Sequence, residues 1–412
     1  PLGMAMIMRV FPVEEQGYAL GIFGIVLLVA PALGPILGGF LVDQNLWRAI
    51  FFINPPIGLL GVIMGSLFLP DLRSDQKPKI DFLGLITEVI GFGSVLYAAS
   101  IAASQGWTSP DVLIWFGIGA AGLAAFAIVE LKIAKQPLLD LRLFTQRTFL
   151  NASLLGYISV IALFGAEFLM PLYLQALRGR TALQTGFILL PMALSGGVAT
   201  ILAGRLYDRL GPRPLVAFGF SLLIVNTWQL SQLKADTPIN WILLLMALRG
   251  IALGCTVQTT FVTALSVVPL QLLPRGSSLV NATRQVVQSV GVAALATVLA
   301  STLSPQISAM QQQALGQTGS RNSQPVAICE VRTGAQAGAP VVLTGYTPQT
   351  PPPGIGNLLA EACKENIAGF EKAYTITFYA AIASLALGLL LPGWPFKWAG
   401  RRAADGPPPV AH

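Results

Sequence analysis

The stretch GIFGIVLLVAPALGPILGG, residues 21–39, decides the fold of this chain. It is uncharged and nearly long enough to cross a bilayer, and Pro31 and Pro35 interrupt it. Neither proline has an N–H group to donate, so two carbonyl groups lose their usual partners and the helix is predicted to bend. Small residues recur along one face: Ala30, Gly34 and Gly38. That face predicts close packing against a neighbouring backbone, and the sequence leaves open whether the segment is a hinge or an ordinary packing helix.

Outward from this stretch, the composition is that of a membrane protein. Hydrophobic residues make up 54% of the chain and charged residues 10%, whereas soluble proteins carry roughly 25% charged residues. The mean hydropathy is +0.68. We predict an all-α integral membrane protein, because long apolar runs replace the short alternating segments of a membrane β-barrel. The predicted spans, about ten, cover residues 18–41, 49–69, 82–103, 111–131, 149–174, 184–204, 214–232, 240–263, 277–302 and 373–392.

The distribution of positive charge along the chain indicates membrane topology rather than a nucleic-acid partner. The net charge of +7 is spread over short loops between the predicted spans. Lys and Arg are more numerous on the side that holds Arg9, and the positive-inside rule places that side in the cytoplasm. The chain opens without an initiator Met or the charged start of a signal peptide. Residues 1–8 read as the end of a span, so we expect a chain that lacks N-terminal helices.

Few residues suit catalysis, cofactors or metals. The single histidine, His412, ends the chain, which excludes a histidine-based triad or relay within it. There is no phosphate-binding loop and no Cys/His cluster, so the sequence predicts neither an enzyme nor a cofactor. Cys329 and Cys363 lie in a polar segment, residues 303–372, that is predicted to be an irregular outer loop. A disulfide or two free thiols both remain open there.

Ionisable residues inside spans are costly and mark function or structural pairing. A carboxyl group at Glu167 could take up and release protons, or it could form a fixed ion pair or face a wet crevice. Arg249 lies deep in its span and needs a partner, which could be backbone carbonyls, a carboxylate or a substrate. Arg284 lies nearer the cytoplasmic end and is interpreted as structural. Uncharged polar residues that could line a cavity or bond between helices are Gln258, Thr259, Asn281, Gln285 and Gln288.

A predicted cytoplasmic loop reads GRLYDRLGPR, residues 204–213. Two spans meet there in a tight turn with charges of both signs. The loop could latch the two helices in one conformation and release them in another, or it could serve topology alone. The residues concerned are Gly204, Asp208, Arg209, Gly211 and Arg213.

Three of these stretches together resemble the major facilitator superfamily, and within it the fourteen-span drug:proton antiporters of the EmrB/QacA type. The first stretch is similar to the antiporter pattern of the fifth span. The matching residues are Gly21, Gly34, Pro35, Gly38 and Gly39, and Ala30 stands where the pattern has Gly. WRAIFFINPPIG, residues 47–58, resembles the entry to the sixth span through Trp47, Arg48, Phe51, Asn54, Pro56 and Gly58. The loop at 204–213 resembles the superfamily's repeated loop motif, with Pro212 replacing a usual basic residue.

The resemblance implies a helical bundle equivalent to spans five to fourteen. Residues 1–70 would end the N-terminal bundle and 71–148 would hold two inserted linker spans. Residues 149–392 would form a six-span C-terminal bundle, followed by a cytoplasmic tail, 393–412. The two bundles would rock around a site at the bilayer midplane. A chain without spans one to four would be inactive alone.

The resemblance further implies proton-coupled multidrug efflux across the bacterial inner membrane. Hydrophobic or cationic small molecules would leave as protons enter. The lipid bilayer, a periplasmic adaptor and an outer-membrane channel are the implied partners. Two alternatives stay open: an exporter of a specific metabolite, amino acid or siderophore, and, from another class, a non-transporting sensor or membrane enzyme. Polar residues that are scattered singly along helices count against an enzyme.

Overall fold

The structure is a computed structural model that describes residues 33–68, 81–134, 139–269, 272–302, 329 and 355–392. Within these ranges the regular structure is helical, and eight helices are long and apolar enough to cross a membrane. The prediction of an all-α integral membrane fold is confirmed. Of the antiporter-type segment, Gly21, Ala30 and Pro31 lie outside the described residues.

We number the helices in chain order as α1 (Leu33–Asp43), α2 (Ala49–Phe68), α3 (Phe82–Gln105), α4 (Pro110–Ile128), α5 (Arg147–Leu172), α6 (Ala182–Leu210), α7 (Pro212–Ser231), α8 (Ile239–Ser266), α9 (Leu273–Ser301) and α10 (Ile355–Gly388). One π-helical turn continues α4, at Val129–Ile133, and another continues α5, at Tyr173–Leu177. A 3-10 turn, Leu141–Thr145, precedes α5.

Two predicted boundaries are wrong. The tenth span was expected from residue 373, but α10 begins at Ile355, so the last part of the predicted outer loop is helical. The loop at 204–213 is also mostly helical, because α6 continues to Leu210 and α7 starts at Pro212. Charged side chains near helix ends lower the local hydropathy without preventing a helix from continuing into water. Hydropathy therefore located the apolar parts of both helices and missed their polar ends.

Local sequence explains where several helices start. The Asp81 carboxylate accepts the Gly84 N–H at 2.9 Å and caps α3. Thr181 and Gln184 form a reciprocal capping box at the start of α6. Pro110 occupies the first turn of α4, where its missing N–H costs nothing. Gly211 separates α6 from α7 at φ +77°, a backbone conformation that glycine adopts without a Cβ clash.

Helices α5 to α10 form the main bundle. α8 packs against α5, α6 and α7, and α10 packs against α5, α7 and α9. One apolar core, which includes Phe149, Leu155, Phe220 and Leu223, fills the half of the bundle toward the start of α5. A second, which includes Leu169, Tyr173 and Met246, fills the other half. Between these two cores lies the fully buried Arg249.

Helices α3 and α4 pack against each other, and α3 also packs against α9. They pack closely through Gly91 and Gly122, because a Cβ on Gly122 would lie 2.8 Å from the Gly91 Cα. The Trp107 indole N–H donates to the Thr297 hydroxyl at 2.9 Å and joins the pair to α9. α2 has no buried residue among the described parts of the chain, and its large side chains, such as Phe52, are exposed. Such apolar surface suits contact with lipid.

Candidate functional site

Arg249 lies at the centre of a polar network inside the bundle. Its side chain is 0% exposed. One terminal nitrogen, Nη2, donates to the backbone carbonyls of Ala162 and Leu163, both at 2.7 Å. The other, Nη1, donates to the Asn226 Oδ1 at 3.4 Å. Of the partners that the sequence left open, the guanidinium group takes backbone carbonyls, and it joins α5, α7 and α8.

Asn226 completes this network. Its Nδ2 donates to the Leu245 carbonyl at 2.7 Å, one turn before Arg249 along α8. The amide is 1% exposed, so both of its polar atoms need partners within the protein. Sequence reasoning missed Asn226, although a lone asparagine in the apolar run SLLIVNTW was a usable signal.

Glu167 lies just over one helical turn after the carbonyls that Arg249 binds. It is partly buried on α5, and the positive charges of Arg249 and Arg284 both act on its carboxylate. The structure thus brings together three of the predicted residues from α5, α8 and α9. A carboxyl group that interacts electrostatically with two guanidinium groups can hold or give up a proton while the three side chains keep a net positive charge.

The five predicted cavity residues line neither of two cavities in the described part of the chain, and their role stays a prediction. A small cavity of about 20 Å³ lies between α5, α8 and α9, and Arg284 is the charged residue that lines it. That volume is room for about one water molecule. None of Gln258, Thr259, Asn281, Gln285 and Gln288 lines it. Thr259 is buried, Gln285 is exposed, and the Asn281 amide donates to the Ser277 carbonyl of its own helix at 3.0 Å.

Glycines let α6 and α8 approach backbone to backbone beside Arg249. A Cβ on Gly250 would clash with the Met192 carbonyl oxygen, and one on Gly254 with the Gly196 carbonyl oxygen. The Ser195 hydroxyl donates across the same contact to the Ala247 carbonyl at 2.7 Å. Sequence reasoning missed this contact, although glycines four residues apart in GIALG were a usable signal.

The antiporter-type helix α1 contacts the start of α6. A Cβ on Gly39 would lie 2.5 Å from the Ala182 carbonyl oxygen, and one on Gly186 would lie 2.5 Å from the Pro35 carbonyl oxygen. Pro35 and Gly39 therefore lie against α6. A Cβ on Gly34 or Gly38 would meet no described atom within 4 Å, and Ala30 lies outside the described residues, so the packing of the predicted small-residue face stays a prediction.

Asp43, the last residue of α1, binds the first turn of α6. One carboxylate oxygen accepts the Ala182 N–H at 3.1 Å, and the other accepts the Leu183 N–H at 3.1 Å. These amides belong to the first turn of α6, which has no intrahelical acceptor for them. A carboxylate there also interacts favourably with the positive end of the helix dipole. Asp43 was not among the predicted residues, because capping across two helices leaves no local sequence pattern.

The predicted gating loop is a short turn between α6 and α7. The Gly211 N–H donates to the Tyr207 carbonyl at 2.9 Å, and the Arg213 N–H donates to the Pro392 carbonyl after α10 at 3.3 Å. The Tyr207 hydroxyl lies 3.3 Å from the Thr263 hydroxyl at the end of α8. Gly204 and Arg209 are exposed, and the side chain of Asp208 lies outside the described residues.

Cys329 and Cys363, which the sequence analysis placed in one polar segment, form a disulfide. The S–S distance between Cys329 and Cys363 is 2.04 Å. The Cys329 N–H also donates to the Leu177 carbonyl at 3.0 Å. The disulfide and this hydrogen bond together link the π-helical turn after α5 to α10.

Comparison with known proteins identifies the family. The sequence profile of the Major Facilitator Superfamily matches residues 1–292. The chain is 37% identical over 298 residues to the uncharacterized MFS-type transporter YhcA of Bacillus subtilis, covering 72% of this chain and 56% of that protein. The chain therefore belongs to the Major Facilitator Superfamily and is a multi-pass membrane protein of a transporter family rather than an enzyme.

Two further relatives carry names from drug resistance. The chain is 32% identical over 299 residues to lincomycin resistance protein LmrB of Listeria monocytogenes, covering 73% of this chain and 63% of that protein. It is 29% identical over 303 residues to the multidrug resistance protein B homolog of Mycobacterium tuberculosis, covering 73% and 56%. The chain thus spans between 56% and 63% of the length of these curated relatives.

Proposed function

We propose that the protein exports drug-like small molecules, hydrophobic or cationic, in exchange for protons, by alternating access across the bacterial inner membrane. The observation that carries this proposal is the placement of Glu167 within electrostatic reach of Arg249 and Arg284 inside the bundle. Ionisable groups in membrane helices are expensive and indicate ion or substrate pathways. The names of the relatives, a lincomycin resistance protein and a multidrug resistance protein B homolog, support the substrate class.

The cluster suggests how protons and substrate compete. With Glu167 ionised, the three side chains carry one net positive charge, and with Glu167 protonated they carry two. Proton uptake from outside therefore raises the positive potential around the cluster and favours release of a cationic drug. Return of the proton to the cytoplasm restores the lower potential. Arg249 keeps its charge throughout, since carbonyl groups and an amide hold it in place.

The contact between α1 and α6 supports alternating access. We assign α1 to the end of the N-terminal bundle, residues 1–70, and α6 to the C-terminal bundle, 149–392. The segment 71–148 then holds the linker helices. In this arrangement Gly39, Gly186 and Asp43 form an outer seal between the bundles, and separation of α1 from α6 opens the outer side. The turn at Gly211 would act on the cytoplasmic side.

The partners of the whole carrier are also proposals. Resemblance to the EmrB branch favours a periplasmic adaptor and an outer-membrane channel. They would carry the exported molecule beyond the outer membrane.

Drug efflux from cells tests the proposed function. The complete gene in which this sequence lies is expressed in a drug-hypersusceptible strain, and ethidium efflux is followed with and without a protonophore. We expect efflux that stops with the protonophore, together with raised resistance to lincomycin. Glu167→Gln should abolish proton-dependent efflux at equal expression. Glu371→Gln, on the exposed surface of α10, should behave like the unmodified protein.

Two results would contradict the proposal. Undiminished proton-dependent efflux in Glu167→Gln would remove that residue from coupling. Export of a single amino acid, siderophore or other metabolite, with no change in drug susceptibility, would favour the specific exporter.

A further inference from the structure

The hydroxyl group of Tyr374, on α10, has no hydrogen-bond partner among the described residues. The Tyr374 side chain is 0% exposed, so bulk solvent does not contact the hydroxyl. Its ring belongs to the second apolar core of the bundle. Buried hydroxyl groups almost always bond to the protein or to an ordered water, because an unmade hydrogen bond in an apolar interior is costly. The Tyr374 hydroxyl therefore needs a partner.

Tyr173, the other tyrosine of this core, has its partners at the outer end of the bundle. Its hydroxyl donates to the Lys234 carbonyl at 2.6 Å and accepts from the Arg178 Nη1 at 3.3 Å. Tyr374 interacts electrostatically with Tyr173, but no hydrogen bond joins the two hydroxyls in the described part of the chain. Tyr173 therefore does not supply the partner that Tyr374 needs.

Arg249 carries a second buried polar atom of this kind. Its Nη1 and Nη2 donate to groups of α7 and α5, whereas its Nε bonds to no described residue. Arg249 lies at the edge of the core that contains Tyr374, and α10 packs against both α5 and α7, which hold the guanidinium group. Tyr374 also has a larger electrostatic effect on Arg249 than Glu167 has. The Nε and the hydroxyl therefore share one part of the interior.

The chemistry of the two atoms defines what fits between them. The Arg249 Nε can only donate a hydrogen bond, and the Tyr374 hydroxyl can donate or accept one. A small group that accepts from Nε and also bonds to the hydroxyl satisfies both. A water molecule does this without adding charge, and buried waters typically make about three hydrogen bonds to such groups. A chloride ion would also accept both hydrogens, but the Glu167 carboxylate, whose charge already acts on Arg249, would repel it.

We propose that an ordered water molecule bridges the Arg249 Nε and the Tyr374 hydroxyl. The water accepts the hydrogen of Nε and forms a second hydrogen bond with the hydroxyl. It thereby links α10 to the guanidinium group that already joins α5, α7 and α8, and a fourth helix holds Arg249 in place. This site is independent of the transported substrate, so its failure would leave the proposed export function untouched.

The sign of a stability change tests the bridge. The complete protein in which this sequence lies is purified in detergent, and thermal unfolding of Tyr374→Phe is compared with that of the unmodified protein. A bridged hydroxyl stabilises the fold, so we expect the unfolding midpoint of Tyr374→Phe to fall by about 2 °C. A hydroxyl without any partner would give the opposite sign, because its removal ends an unmade bond. An unchanged or raised midpoint would therefore overturn the proposal.

Control variants assign the change to the water and to Arg249. Tyr379→Phe removes a hydroxyl from a tyrosine of α10 that is 65% exposed, and it should leave the midpoint unchanged. In an Arg249→Met background, Tyr374→Phe should no longer lower the midpoint, because the Nε that holds the water is gone. An equal fall in both backgrounds would overturn the link to Arg249. A fall that occurs in chloride buffer but not in gluconate buffer would overturn the water in favour of an anion.

A second measurement decides the question if Arg249→Met does not fold. A crystal structure of the complete protein, at a resolution that shows ordered waters, should contain a density peak within about 3.2 Å of both the Arg249 Nε and the Tyr374 oxygen. Direct contact between the two side chains, or a peak bound to only one of them, would overturn the proposal.

Discussion

Gly39 and Ala182 are in backbone contact across two helices, since a Cβ on Gly39 would lie 2.5 Å from the Ala182 carbonyl oxygen. No flexible side chain stands between them, so neither helix can make room by a change of rotamer. The contact therefore depends on the absence of a methyl group at one position of α1. It also fixes which face of the antiporter-type helix meets α6.

Gly39→Ala should separate α1 from α6. Overpacking of this kind costs about 1–3 kcal/mol, which we expect to see as a lower midpoint of thermal unfolding by tryptophan fluorescence. Gly38→Ala is the matched control, because its Cβ meets no described atom within 4 Å. Alanine favours a helix over glycine by up to about 1 kcal/mol, so this control should unfold at the same or a higher temperature. Equal losses in both variants would contradict the contact.

Asp43→Ala should expose the first amides of α6. The carboxylate is the acceptor for the N–H groups of Ala182 and Leu183, and loss of a helix cap costs about 1 kcal/mol. Hydrogen exchange of a peptide that covers residues 181–186 should therefore speed up by about fivefold. Asp236→Ala, at an exposed loop position, should leave this peptide unchanged. Unchanged protection in Asp43→Ala would show that the cap is not formed in solution.

Arg249→Met should destabilise the bundle while keeping the volume of the side chain. The change leaves the Asn226 oxygen without its donor and removes one cation near Glu167. A buried polar group without a partner costs about 1–3 kcal/mol. Arg209→Met, at an exposed position, should change stability by less than about 0.5 kcal/mol.

A double variant then measures the link between the two charges. If Arg249 stabilises the carboxylate, Arg249→Met with Glu167→Gln should lose less stability than the sum of the single losses. The difference in such cycles is about 0.5–3 kcal/mol for coupled neighbours. Strict additivity would show that Arg249 stabilises the helices alone and has no role at the carboxyl group.

Gly211→Ala should strain the turn between α6 and α7. Gly211 has φ +77° and ψ 178°, a conformation almost restricted to glycine, which costs other residues about 1–3 kcal/mol. Gly204→Ala is its matched control, because Gly204 is helical and its Cβ would meet nothing within 4 Å. Urea or thermal unfolding in detergent should show a loss for the first variant and none for the second. A loss in Gly204→Ala alone would place the constraint in the helix rather than in the turn.

The spans could be predicted from sequence because each depends on one property, the length of an apolar run. Helices α2 to α5 and α7 to α9 fall within a few residues of the expected positions for this reason, whereas α6 continues past its expected end to Leu210. α10 shows the limit, since its polar first turns carry no hydropathy signal even though they are helical. Cys329 and Cys363 were placed on an expected oxidising side of the membrane, where a disulfide and two free thiols both stayed open, and the structure shows the disulfide.

The contacts between spans could not be predicted, because they depend on the rotation of each helix about its own axis. The contact of Gly39 with α6 lies beside the predicted small-residue face of Ala30, Gly34 and Gly38, and no feature of the sequence singled out Gly39 as the contact residue. Arg249 was expected to need partners, and the choice among backbone carbonyls, a carboxylate and a substrate required the position of α5. Asp43 caps a helix more than a hundred residues away, and no pattern in one sequence records such a distance.

The bonds from Asp43 to the start of α6 lie at an exposed position. When such bonds break, water replaces the carboxylate on the amides, and the net change is small, about 0.5–1.5 kcal/mol for a hydrogen bond that exchanges with solvent. A buried hydrogen bond of the same geometry would stay formed, because water could not replace the carboxylate there. An exposed hydrogen bond of this kind breaks and re-forms by thermal motion at little cost, which is the property that the proposed separation of α1 from α6 requires.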